Sequence, residues 1–119
     1  MRLRAARGAI RVPSSDGEAM LGSTERLLSS MLQRNEIEPE ELVSIMFTAT
    51  QDLHAAFPAE AARRMGLGRV PLMCAQEISV EGSMPSVVRI LVHFHSDRTL
   101  GEVVHVYLDG AESLRDDAL

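Results

Sequence analysis

Apolar and polar positions alternate most regularly between residues 87 and 95. Val88, Ile90, Val92 and Phe94 fall on one side of an extended chain, and Arg89, Leu91, His93 and His95 fall on the other. A period of two is the mark of a strand, so the spacing predicts one over Val87 to His95. Val103 to Leu108 repeats the pattern, with Val104, Val106 and Leu108 opposed to His105 and Tyr107. Leu42 to Thr50 reads the same way, with Val43, Ile45, Phe47 and Ala49 on one face and Leu42, Ser44, Met46 and Thr48 on the other. Leu3 to Val12 reads as a first strand closed by Pro13, and Val70 to Cys74 as a short one broken by Pro71. After Ser15 the period lengthens to that of a helix. Met20, Thr24, Leu27, Leu28 and Met31 share one face, and Ser15 with Glu18 has the spacing of a capping box. That helix fades near Asn35, and Glu36 to Glu41 forms a connector. Pro58 opens a second helix, Glu60 early and Arg63 and Arg64 late suit its dipole, and Gly66 stops it.

The predicted order is therefore β-α-β-α-β-β-β. It implies an α+β fold: a mixed β-sheet covered on one face by two helices. The aliphatic strand faces meet the helices. The opposite faces carry Arg89 and Tyr107, and so require water, a ligand or another subunit. Residues 1–119 are expected to form one domain, with 111–119 a polar, aperiodic tail that is mobile in the free protein.

Composition narrows the classes. Of 119 residues, 45% are hydrophobic and 24% charged, enough apolar content for a core, while aromatics at 3% make that core aliphatic and Met-rich. A net charge of −5 argues against a general nucleic-acid binder. Cys74 is the only cysteine, so no internal disulfide can form, which fits a reducing cytoplasm. No apolar run approaches the roughly 20 residues of a membrane span, and the basic stretch Met1 to Arg11 lacks a following apolar segment. A cytoplasmic location with no membrane or nucleic-acid partner is expected. All 12 basic residues are arginine, so an anion site here must use planar guanidinium forks.

The chain lacks a glycine-rich dinucleotide fingerprint, a phosphate loop, a nucleophile elbow and paired cysteines. His93 and His95 share a strand face, and with His105 they offer a possible metal site, weighed against ordinary surface or packed histidines. Cys74 offers a nucleophile, but no histidine base accompanies it in sequence, and packing is the preferred reading. What remains is a set of strong donors: Arg7, Arg63, Arg89 and Tyr107, with Glu77 after the Cys74-Ala75-Gln76 run. Singly each is best read as a surface group. Together, on faces outside the core, they suggest a small polyanionic ligand.

The sequence resembles the AroH-type chorismate mutases, the small monofunctional class. The matching segments are Arg7-Gly8-Ala9, Thr48-Ala49-Thr50 with Asp52 through Ala59, Val70-Pro71, Cys74-Ala75-Gln76-Glu77, Val88-Arg89-Ile90, His105-Val106-Tyr107-Leu108 and Leu114-Arg115. They keep order and spacing over nearly the whole chain. The resemblance implies a homotrimer with a pseudo-α/β-barrel core, an architecture shared with the RidA proteins. Active sites would lie between subunits, converting chorismate to prephenate without cofactor or metal. It also implies residue roles. Arg89 donates to the ether oxygen, and Arg7 and Tyr107 hold a carboxylate. Glu77 and Cys74 meet the ring hydroxyl, with Glu77 also orienting an arginine. Phe57, Ala59 and Arg63 line the cleft, and Leu114 with Arg115 closes it. One position departs: Glu60 stands where relatives often carry lysine. A RidA-type enamine/imine deaminase and a non-catalytic trimeric anion-binding protein are the rival readings.

Overall fold

The structure, a computed structural model, describes residues 1–118, with side-chain environments as far as Arg115. The elements are β1 (Arg2–Arg11), α1 (Gly17–Arg34), β2 (Leu42–Ala49), α2 (Ala59–Arg64), β3 (Leu72–Gln76), β4 (Val87–Ser96) and β5 (Val106–Leu108), with 3-10 turns at Pro39–Glu41, Leu100–Glu102 and Glu112–Ala118. The five strands form one sheet in the order β3-β2-β4-β1-β5. The central β4 runs antiparallel to both β1 and β2, while β1–β5 and β2–β3 are parallel pairs. This is the expected mixed sheet with two helices.

The core lies between the helices and one sheet face. Met20, Leu27, Leu28 and Met31 of α1 are fully buried against Ala6, Ile10, Phe47, Ile90, Val92 and Phe94. The predicted apolar face of β4 is thus the core face. Each such large side chain contributes about 1.5–3 kcal/mol of burial. Gly8 lets α1 come close, because a Cβ there would sit 2.5 Å from Met31 Sδ.

Four local expectations change. The N-cap of α1 is Asp16, not Ser15: its carboxylate accepts from Ala19 N at 3.0 Å and is steadied by the Ser14 hydroxyl at 2.7 Å. The carboxylate caps the helix as a serine hydroxyl would, and its charge also meets the positive end of the helix dipole. Glu18 is thereby free to pair with Arg64 of α2. In β2 a register shift between Leu42 and Ser44 puts a bulge at Val43, so Leu42, not Val43, packs on the core. β3 begins only after Pro71, which has no N–H to give a ladder but accepts from Ile45 N at 3.0 Å through its carbonyl. β5 is shorter than Val103 to Leu108, because the buried side chain of Asn35 occupies Val104. Its amide donates to Val104 O at 2.8 Å, and its Oδ1 accepts from Val104 N at 2.8 Å.

The other sheet face has no helix cover. Leu3, Met46 and Met73 are 55%, 39% and 61% exposed there, beside a half-buried Leu91. Past β5, Asp109 and Gly110 take left-handed backbone angles (φ 53° and 98°) and turn the chain back onto this face, where Ala111 is buried. The predicted aperiodic tail therefore starts as a packed 3-10 turn. No helix among the described residues is long and apolar enough to cross a membrane.

Candidate active site

Sheet register assembles the first half of the site. Thr48 of β2 pairs with Arg89 of β4, and both side chains stand on the uncovered face. Just beyond β3, Glu77 is anchored by its backbone N–H to Ala49 O at 3.0 Å. Its Oε2 accepts from Thr48 Oγ1 at 2.8 Å and from Arg89 Nε at 3.1 Å. The guanidinium is thus held at its Nε, and its two Nη groups have no protein partner among the described residues. Across β1, Ala9 pairs with Arg89 on one side and with Tyr107 on the other, which brings the phenol of β5 to the same face. Arg7 lies one same-face position before Ala9. Arg7, Arg89, Tyr107 and Leu114 line a single cavity of about 300 Å³, floored by Met46, Thr48 and Leu91. Tyr107 and Leu114 are braced from below by a small apolar cluster of Ala9, Val87 and Ala111.

The remaining predicted residues lie elsewhere. Cys74 pairs with Phe47, so its side chain is on the helix side of the sheet, away from Glu77 and Arg89. It accepts weakly from Ala59 N at 3.4 Å. With Phe57, which is 75% exposed, Cys74 lines a second cavity of about 400 Å³ at the sheet edge. Arg63, on α2, is exposed and paired with Glu60 at 3.2 Å. Within one chain, then, the side chains of Cys74 and Glu77 point to opposite sides of the sheet. The structure brings Arg7, Glu77, Arg89, Tyr107 and Leu114 together, gathers Phe57, Ala59 and Cys74 at a separate flank, and leaves Arg63 outside both cavities, further along α2.

Sequence reasoning passed over Thr48, Met46 and Leu91 as site residues, although their alternation placed them on the face of Arg89. It weighed His105 as a metal ligand against an ordinary surface or packed histidine, and gave it no contact with Arg7. In the structure His105 Nδ1 accepts the backbone N–H of Arg7 at 3.0 Å. Burial, then the charges of Arg7 and Arg115, hold its protonation below the usual imidazole range. His93 Nδ1 lies 3.2 Å from Ser44 Oγ. Among the described residues no three His, Cys, Asp or Glu side chains gather to hold a metal.

Residues 3–118 match the family described as chorismate mutase type I. Chorismate mutase AroH of Thermus thermophilus is 47% identical over 116 residues, covering 97% of this chain and 95% of that protein. Chorismate mutase AroH of Bacillus subtilis is 36% identical over 118 residues, covering 98% and 93%. Among solved structures, a chorismate mutase from Clostridium thermocellum superposes with a TM-score of 0.91 at 41% identity, covering 92% of this chain and 98% of that one.

Proposed function

The chain belongs to the chorismate mutase type I family, which makes it an isomerase of chorismate in aromatic amino acid biosynthesis, and from that premise we propose where and how the rearrangement takes place. The centre is the Arg7–Arg89–Tyr107 cavity of one chain, completed by the Phe57–Cys74–Arg63 flank of another in a homotrimer. One observation supports this reading: the residues suited to one ligand line two separate cavities on opposite sides of one sheet, as expected of half-sites that neighbouring chains complete.

Conversion of chorismate to prephenate is a [3,3] shift within one molecule and requires no nucleophile or base. Its needs are a dicarboxylate folded into a chair and a donor for the negative charge that grows on the ether oxygen as the C–O bond breaks. Confinement between two chains supplies the first. Arg89 supplies the second, with Glu77 and Thr48 fixing the guanidinium before the reaction so that little reorganisation is left for the transition state. Arg7 and Tyr107 hold a carboxylate, Cys74 of the second chain meets the ring hydroxyl with Glu77, and Leu114 and Arg115 close over the bound dianion. The uncovered face with Leu3, Met46, Leu91 and Met73 is the surface on which the copies pack, as a pseudo-barrel core requires. The enzyme acts in the cytoplasm as one domain.

Loss of chorismate absorbance with formation of prephenate tests the activity. Mixing tests the split site. Arg89→Ala chains and Arg63→Ala chains, each impaired alone, are dissociated and reassembled together. Random trimers restore roughly a quarter of the sites, because each intact centre draws Arg89 and Arg63 from different chains. Mixtures no more active than the average of the two parents would place the whole site in one chain.

A further inference from the structure

We infer that His105 is a positioning residue for this reaction, its neutral imidazole setting Arg7 by accepting that residue's backbone N–H. The inference rests on the reading of Arg7 as a carboxylate ligand. The parallel ladder between β1 and β5 opens at Gly8 and Val106, so the N–H of Arg7 lies one step outside it. No β5 residue continues the pairing there. His105 Nδ1 takes that place at 3.0 Å, extending the sheet by one hydrogen bond made through a side chain.

The imidazole is itself held. Val104, its neighbour, is clasped on both backbone groups by Asn35, whose amide also reaches Met31 O at 3.0 Å in the last turn of α1. A continuous set of contacts thus runs from the buried end of α1 through Val104 and His105 to the backbone of Arg7. Acceptance at Nδ1 fixes the tautomer with the proton on Nε2. The charged groups acting on the ring are Arg7 from β1 and Arg115 from the C-terminal 3-10 turn, both cationic. Protonation would therefore remove the acceptor and add a positive charge that the guanidinium groups of Arg7 and Arg115 both oppose.

Three readouts test this on the full-length enzyme. Nitrogen chemical shifts of His105 in the free protein should show a bare Nδ1 and a protonated Nε2 at neutral pH, with a midpoint below that of an ordinary histidine. A proton on Nδ1 would overturn the inference whatever the activity. His105→Phe keeps the ring volume without the acceptor, and should raise KM for chorismate about tenfold with kcat little changed, the signature of weakened uniform binding by Arg7. His105→Asn places an acceptor near the Nδ1 position and cannot be protonated. It should restore most of the KM, and the acid-side fall of kcat/KM expected of the wild type should shift or flatten. His105→Asn as impaired as His105→Phe, or with an unchanged acid limb, would refute the role. Should His105→Phe fail to fold, the nitrogen shifts and the His105→Asn pH profile still decide. Absence of chorismate turnover in the wild type would instead sink the functional reading, and would leave the nitrogen shifts to judge the contact alone.

Discussion

At one oxygen of Glu77 two donors converge, Thr48 and Arg89, and the aim of a guanidinium depends on it. Arg89→Ala should lower kcat by on the order of 2.7–4 kcal/mol of transition-state stabilisation, the scale of losing one preorganised donor from an oxyanion site. Arg89→Lys should also be poor, since an ammonium cannot bind Glu77 and ligand as a planar fork does. Steady-state kinetics on folded variants measures both, and near wild-type turnover in Arg89→Ala would remove Arg89 from the mechanism. Cys74→Ser should keep much of the activity, because the thiol accepts only a weak bond from Ala59 N. A covalent adduct at Cys74 in mass spectra of the working enzyme would contradict this. Titration of His105 has its own sign. Its folded-state protonation lies below the usual imidazole value of 6.5, so the stability tied to the neutral ring is present above about that pH and lost as pH falls through the lowered midpoint. Urea unfolding of wild type and His105→Asn across that range should diverge only on the acid side. Among these residues, Arg89 and Tyr107 stood out in the sequence by alternation alone. Their roles, with those of Arg7 and Glu77, came from resemblance to a family. The bond from Arg7 to His105 was invisible, because it depends on β1 and β5 lying side by side across nearly the whole chain.

Elements were legible where one face is purely apolar and hidden where both neighbours are. Val88, Ile90, Val92 and Phe94 leave β4 a single register, and every one of them is buried. Leu42 and Val43 are both apolar, so nothing in the sequence says which turns inward, and a bulge decided it. Val103 and Val104 look like strand, but the partner for Val104 is an amide from Asn35 at the far end of α1, which no local pattern predicts. That clasp gives a prediction for the element it ends. Asn35→Ala leaves two backbone groups of Val104 without their buried partner, and should cost about 1–3 kcal/mol, read as a lower urea midpoint. If His105 depends on the same clasp, KM for chorismate should rise with it. A variant as stable as wild type would show that the clasp is replaceable by water.

For the whole molecule, one sheet face is finished and the other is not. Leu91 lies at the middle of the central strand on the unfinished face. Leu91→Arg should leave the helix-side core intact and yield chains that sediment as monomers, because a further guanidinium set beside Arg7 and Arg89 and buried without a counter-ion opposes assembly. Trimers unaffected by that charge would show that some other surface joins the copies. The sequence disclosed that this face lacked cover, since Arg89 and Tyr107 shared it with apolar residues. It did not disclose that Cys74 faces the opposite way, because the parity of β3 is set by its pairing with β2 and by the start forced at Pro71. That opposed facing of Cys74 and Arg89 bears on inheritance. If the centres are shared between chains as proposed, a chain damaged in both halves yet still able to assemble would spoil two of them, the one it fronts and the one it backs. A chain too damaged to assemble spoils none but its own. In a cell carrying one sound and one faulty gene copy, the well-folded but inert product is therefore the more harmful of the two.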